Sequence, residues 1–257
     1  MLDFITIPMI NVLLYIYNLL GDNFGIAIIL FTVLIRLIIL PLTFKQQSST
    51  KKMQELQNSK QWQDIQKKYK DDKQKLQEET VRLYREMGIN PLSGCLPLLI
   101  QFPIIIGLYS AIVRALADAP LNLLTLSQQL YNFIPNSLIP INSHFLWMDL
   151  GQPERLYLPF LPTFGIPILT ILVVITTWLQ GKLTTSATPD AQGAQMSQMM
   201  NLYMPLLLGY FAYTYASGLA LYFVISNLFT VVQYAAFGGV DLRQVFSRKP
   251  AKPKEKK

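Results

Sequence analysis

From Met199 to Phe237 the chain runs without one charged side chain. A hydrocarbon core about 30 Å thick asks for about 20 apolar helical residues per crossing, so this stretch is long enough for two. "YASG" at 215 to 218 divides it, because a glycine among small neighbours can make a tight turn between antiparallel helices. Three further apolar segments, 24–44, 92–116 and 161–181, meet the same requirement. Together with 199–215 and 218–238 they give five spans, and the fold class expected is an all-α integral membrane protein. The chain is 51% hydrophobic yet carries a net charge of +7, so its apolar and charged residues must be segregated, as in a membrane protein.

The cations set an orientation. Of the 22 lysines and arginines, all but Arg36, Arg114 and Arg155 lie in 45–90, 182–198 or 239–257. Loops on the cytoplasmic side are enriched in such residues, so the expected topology has the N-terminus outside and the C-terminus inside. Residues 1–23 have no basic leading region and no small-residue cleavage site, which argues against a removable signal. Their apolar run is short and contains Pro8; an outside helix in the interface is expected, with a true span as the alternative.

Segment 45–90 is rich in Lys, Gln and Glu, with neither Gly nor Pro before Gly88. Met53, Leu56, Trp62, Ile65 and Tyr69 recur at helical spacing, "KDDK" interrupts, and Leu76, Leu83, Tyr84 and Met87 resume the stripe. A cytoplasmic hairpin of two amphipathic helices is the economical reading; one long solvated helix is the other. The hairpin is a candidate docking surface for partner proteins, with Trp62 and Tyr69 as its most contact-prone aromatics; a hairpin that merely shields a polar cavity is the alternative. The prolines, leucines and aromatics of 117–160 call for short helices against the membrane surface, with Trp147 and Tyr157 in an interfacial belt. Segment 182–198 reads as a loop and 239–257 as a basic tail.

Arg36 stands inside the first span. By helical rise it sits about 18 Å from Phe24 and about 12 Å from Phe44, too deep for its side chain to reach water fully by snorkelling. A charge there costs at least about 2.5 to 3.5 kcal/mol. No span carries Asp or Glu in its apolar run; the available groups are neutral, namely Thr32, Gln101, Thr176, Thr177, Gln180, Ser226, Asn227, Thr230 and Gln233. Water in a polar cavity open toward the basic side is therefore the expected solvent, with a snorkelling arginine in a thinned bilayer as the bland alternative. A transporter's coupling site would carry acidic groups. An intramembrane enzyme would need a nucleophile and base in reach. A single Cys95 and a single His144 leave no metal or cofactor cluster to expect.

Three fragments carry a family likeness: "VLIRLIILPLT" (33–43), "GINPLSGCLPLLIQFPIIIGLY" (88–109) and "SGLALYFVISNLFTVVQ" (217–233). In this order and topology they resemble the YidC/Oxa/Alb3 family of membrane protein insertases. The resemblance implies a five-helix insertase core with a hydrophilic groove open to the cytoplasm and to lipid. It places a functional arginine at Arg36 and groove positions at Gln101, Gln180, Ser226 and Asn227, beside Thr32. It also implies nascent membrane proteins as substrates, a bacterial plasma membrane as location, and work alone or with the Sec translocon. The tail cations, Arg243, Arg248 and Lys249 among them, are candidates to meet a ribosome or anionic lipid. The large periplasmic domain of the Gram-negative form has no counterpart among these residues.

Overall fold

The computed structural model describes residues 3–57, 59–69, 72–88, 96–116, 119–158, 161–184 and 191–237. Cys95 and the "INPLSGC" part of the second fragment lie outside them, as does the tail with Arg243, Arg248 and Lys249. The described residues are mostly helical: α1 (Asp3–Leu19), α2 (Phe24–Gln57), α3 (Lys60–Lys68), α4 (Lys73–Glu86), α5 (Leu96–Ala115), α6 (Pro120–Gln129), α7 (Ile168–Thr184), α8 (Ala191–Thr214) and α9 (Ser217–Phe237). Two small antiparallel pairs accompany them, β1 (His144–Phe145) with β2 (Met148–Asp149) and β3 (Leu156–Leu158) with β4 (Leu161–Ile166).

α9 is the central element, packing against α2, α5, α7 and α8. Every side chain from Ser217 to Val224 is buried. Among the described residues, Phe24–Ser49 and Ser217–Phe237 are long and apolar enough to cross a membrane; Asp3–Leu19, Gln101–Ala115 and Ile168–Thr184 are shorter apolar helices. Leu34, Leu37, Ile38 and Leu42 stand exposed on α2, and Leu202, Tyr203, Leu206, Leu207 and Tyr210 on α8. Exposed apolar faces on helices this hydrophobic suit a lipid solvent.

The boundaries differ from the sequence reading in ways that local chemistry explains. α2 does not stop at residue 44 but continues to Gln57, because "KQQSSTKKMQELQ" is built of helix formers with no Gly or Pro to end it. The third apolar segment is helical only from Ile168: Leu161–Ile166 pairs as β4 with β3, and Pro167 immediately precedes the helix. α8 opens at Ala191, within the segment read as a loop. Gly218 lies in the first turn of α9 rather than in the preceding bend. A Cβ there would come within 3.2 Å of the Leu150 carbonyl oxygen and 3.1 Å of Ile28, so the glycine permits close approach, not an unusual turn.

α1 is amphipathic toward protein. Thr6, Ile10, Leu13, Leu14 and Tyr17 recur at helical spacing and are buried, and the helix packs on α5 and α2. Asn11 ties it to the following loop, donating from Nδ2 to the Gln129 carbonyl (3.0 Å) and accepting from the Tyr131 N–H (2.7 Å). Arg114 on α5 pairs with Asp3 at 2.7 Å and holds that carboxyl below its ordinary range, first by hydrogen bonding and then by charge. That contribution is present at neutral pH and is lost as pH falls through the lowered value.

Residues 119–158 form a folded cap, not the helices alone that composition called for. α6 is joined by the two hairpins, and the cap is bonded to the helix ends. The N–H groups of Ser217 and Gly218, orphan donors at the start of α9, reach the carbonyls of Gln152 (2.8 Å) and Leu150 (3.0 Å). Glu154, 4% exposed, accepts from the Leu169 N–H of α7 at 3.1 Å and from Trp147 Nε1 at 2.9 Å. A carboxylate at a helix N-terminus is favoured by the helix dipole.

Gly218→Val tests the close contact of α9 with this cap. Overpacking there is expected to cost about 1 to 3 kcal/mol, read as a lower unfolding midpoint in detergent; an unchanged midpoint would show that the cap is not packed as described.

Candidate functional site

Two polar clusters lie within the helical bundle. Thr32 and Arg36 are four residues apart on α2 and therefore on one face, as are Tyr222, Ser226 and Thr230 on α9. Where these faces meet, Arg36 Nη2 donates to Ser226 Oγ. Tyr222, fully buried, lies against Ser226, and its hydroxyl accepts from Gln101 Nε2 of α5. Arg36, Ser226 and Gln101 are thus joined through Tyr222. No carboxylate faces Arg36 among the described residues.

Ser226 and Asn227 are neighbours in sequence, so they project about 100° apart around α9. Asn227, buried, turns to α7 and donates from Nδ2 to Thr176 Oγ1 (3.1 Å) and Thr177 Oγ1 (2.8 Å). Thr32 is buried above Arg36, its hydroxyl spent on its own helix through the Ile28 carbonyl at 2.6 Å. Gln180 lies one turn beyond Thr176 on α7; its Oε1, like Nε2 of Gln233 on α9, is buried without a hydrogen-bond partner. Of the groove residues read from sequence, the structure joins Arg36, Ser226 and Gln101, sets Asn227 in a second bridge, and leaves Thr32 and Gln180 bonded to neither.

Tyr222 escaped the sequence reading because a tyrosine in an apolar span reads as packing. Its position four residues before Ser226 was the available signal. Tyr234, whose side chain meets that of Gln47 farther along the α2–α9 seam, was missed for the same reason.

The aromatics of 45–90 part company. Trp62 is only 5% exposed; it packs with Leu56 and Leu83, and its ring lies 5.6 Å from that of Tyr84. Trp62 therefore holds α3 and α4 together and is not an open docking residue, a correction that follows from the stripe it belongs to. Tyr69 is half-buried at the end of α3, with Lys68 Nζ 5.2 Å from its ring centre.

No group of three or more His, Cys, Asp or Glu able to hold a metal occurs among the described residues. What the arrangement offers is a partly buried cation bonded to the Ser226 hydroxyl, which Tyr222 links to the Gln101 amide, in a protein with exposed apolar faces.

These features define a helical membrane protein with a polar interior site. The chain belongs to the family described as 60Kd inner membrane protein, whose model matches residues 15–238. It is 38% identical over 246 residues to the membrane protein insertase MisCA of Bacillus subtilis (strain 168), covering 94% of this chain and 80% of the relative. It is 35% identical to the membrane protein insertase YidC 2 of Bacillus anthracis, covering 94% and 82%. Against membrane protein insertase YidC of Fusobacterium nucleatum subsp. nucleatum identity is 36%, covering 85% and 95%. A crystal structure of an active YidC insertase with its first transmembrane domain resolved matches at a TM-score of 0.57 and 31% identity, covering 90% of this chain. This chain spans 46% of that solved one. The family is one of membrane protein insertases, not enzymes.

Replacing Asn227 by Leu, which branches at Cγ as asparagine does, removes two interhelical hydrogen bonds. At about 0.6 kcal/mol each in a membrane protein, the expected loss is about 1 kcal/mol in an SDS-titrated unfolding measurement. No loss would mean that the α7–α9 bridge contributes nothing to stability.

Proposed function

We propose that this membrane protein insertase works through a hydrated groove centred on Arg36 and open toward the side of the basic helices α3 and α4. A hydrophobic segment of a nascent membrane protein arrives from that side. Its short polar tail lodges beside Arg36, and the segment then passes laterally into lipid. The observation that carries this reading is Arg36 bonded to Ser226 with no carboxylate facing it among the described residues. Neutral groups solvate a guanidinium but do not neutralise it, so it remains a receptor for a passing anion. Two buried amide atoms without partners, Gln180 Oε1 and Gln233 Nε2, are the kind of group that water or a substrate backbone satisfies.

The hold on an acidic tail is weak by design. Unit charges 4 Å apart attract by about 1 kcal/mol in water and about 4 kcal/mol at an effective dielectric of 20. A hold of that size is reversible, as release requires. Gln101, Ser226, Thr32, Gln180 and Asn227 line or shape the groove, and Tyr222 joins this set. The chain has five spans with its N-terminus outside and its C-terminus in the cytoplasm of a bacterium, by the distribution of its cations. Its partners are nascent membrane proteins, the Sec translocon through the exposed face of α3 and α4 including Tyr69, and lipid. The tail cations Arg243, Arg248 and Lys249 meet ribosomal RNA or anionic headgroups.

The test is protease-protected insertion of a small single-span protein into liposomes carrying purified protein, run with acidic, neutral and basic tails. Arg36→Ala is expected to depress insertion of the acidic-tailed form several-fold more than that of the neutral form. Equal depression across the series would remove the electrostatic role, and insertion no better than empty liposomes would remove autonomous action.

A further inference from the structure

The tip of the β1–β2 hairpin combines two features that water does not favour. The strands pair His144 with Asp149 and Phe145 with Met148, leaving Leu146-Trp147 as a two-residue turn. Leu146 has φ +55°, the left-handed region in which a bulky side chain is rare and which hairpin turns usually fill with glycine or asparagine. It is also 74% exposed, beside a Trp147 that is 45% exposed. A leucine that is strained and unpacked at once is explained neither by the backbone nor by the protein core.

The tip is nevertheless rigidly carried. The Phe145 ring lies over Gly25, where a Cβ would come within 2.2 Å of it, so the hairpin sits on the first turn of α2. Trp147 Nε1 is fixed by Glu154, which caps α7, and Met148 and Leu150 are buried in the core. The Leu150 carbonyl in turn accepts from Gly218 at the start of α9. Three helix ends thus brace one apolar point.

We infer that Leu146 and Trp147 form an interfacial anchor that enters the lipid leaflet at the Phe24 end of α2 and sets the depth of Arg36 in the membrane. The occupant follows from position. The apolar run of α2 begins at Phe24, so a hairpin resting on Gly25 lies where that helix leaves the hydrocarbon. At that level a tryptophan with its N–H satisfied and its ring exposed is at home, and a leucine gains by leaving water. Arg36 follows Gly25 by eleven residues, hence about 16 Å along the helix. An anchor braced on Gly25 keeps α2 from sliding and so holds the guanidinium at one depth. This inference needs α2 to cross the membrane but does not depend on how substrates use Arg36.

The experiment places a nitroxide at Leu146→Cys, in a Cys95→Ser background, with the full chain in vesicles of phosphatidylethanolamine and phosphatidylglycerol. Its collision rates with oxygen, which concentrates in lipid, and with a water-soluble nickel chelate are measured by power saturation. The same label at Arg82→Cys, on an exposed position of α4, is the aqueous reference. The oxygen-to-nickel ratio at 146 is expected to exceed that at 82 by several-fold. A ratio equal to the reference would put the tip in water and overturn the inference. Low collision with both agents would mean that protein covers the tip, a second copy or another chain, and would overturn it equally. Gly25→Val, which displaces Phe145, is expected to loosen the label's spectrum at 146; an unchanged spectrum would remove the brace and with it the depth-setting role.

Discussion

A guanidinium inside an apolar helix has to be solvated by something, and the arrangement of this bundle follows from what is offered. α2 presents Arg36, and α9 presents Tyr222 and Ser226 on one face, with Gln101 reaching in from α5. None of these groups carries a compensating charge. A buried carboxylate would have closed the site as an internal ion pair, stable and inert toward other anions. Neutral partners leave the cation held in place but still available. α9 can serve this role because its neighbouring residues divide the labour: Ser226 faces Arg36, while Asn227 fastens the helix to α7 through Thr176 and Thr177.

The two ends of the bundle are built differently. At the end where α2, α7 and α9 begin, residues 119–158 are bonded directly to the first turns of α7 and α9, through Glu154, Leu150 and Gln152, and to the middle of α1 through Asn11. Orphan backbone donors are satisfied there by protein, which makes a firm cap. At the other end α3 and α4 are held to α2 by a small separate cluster of Leu56, Trp62 and Leu83, flanked by Ile65 and Tyr84. Among the described residues this cluster is much smaller than the core of the bundle, and a small cluster is the kind of attachment that opens at lower free-energy cost. A firm cap on one side and a less extensively packed charged pair of helices on the other are compatible with the proposed entry of polar segments from one direction.

Much of this was legible in the sequence, for physical reasons. A charge amid apolar residues is conspicuous, so Arg36 stood out, and the lack of acidic residues in the apolar runs fixed the kind of partner it would find. Ser226 and Gln101 were two of nine neutral polar residues in the apolar runs, and the resemblance to the insertases singled them out together with Gln180 and Asn227. Tyr222 was not among them, since a tyrosine is as apolar as it is polar and only its contact with Gln101 discloses its role. Trp62 was misjudged because an amphipathic stripe does not say whether its apolar face meets a partner or the next helix of the same chain. The β3–β4 pair replaced the start of the expected third span because hydropathy alone does not distinguish a short apolar strand from a helix turn. Gly218 was read as a turn former, whereas tertiary packing against Leu150 explains it. The long reach of α2 needed no tertiary information: its helix formers run on past the apolar segment with nothing to stop them.

The most direct test of the wet, chargeable site is chemical restoration of the cation. Arg36→Cys, in a Cys95→Ser background, is treated with a water-soluble aminoethyl thiosulfonate after reconstitution, and both the labelling rate and the insertion of an acidic-tailed protein are measured. Ready labelling from the aqueous phase together with recovered insertion is the result expected of a hydrated groove whose charge acts on the passenger. A thiol that resists labelling would mean that the site is dry, and labelling without recovery would mean that the charge is not what the passenger needs.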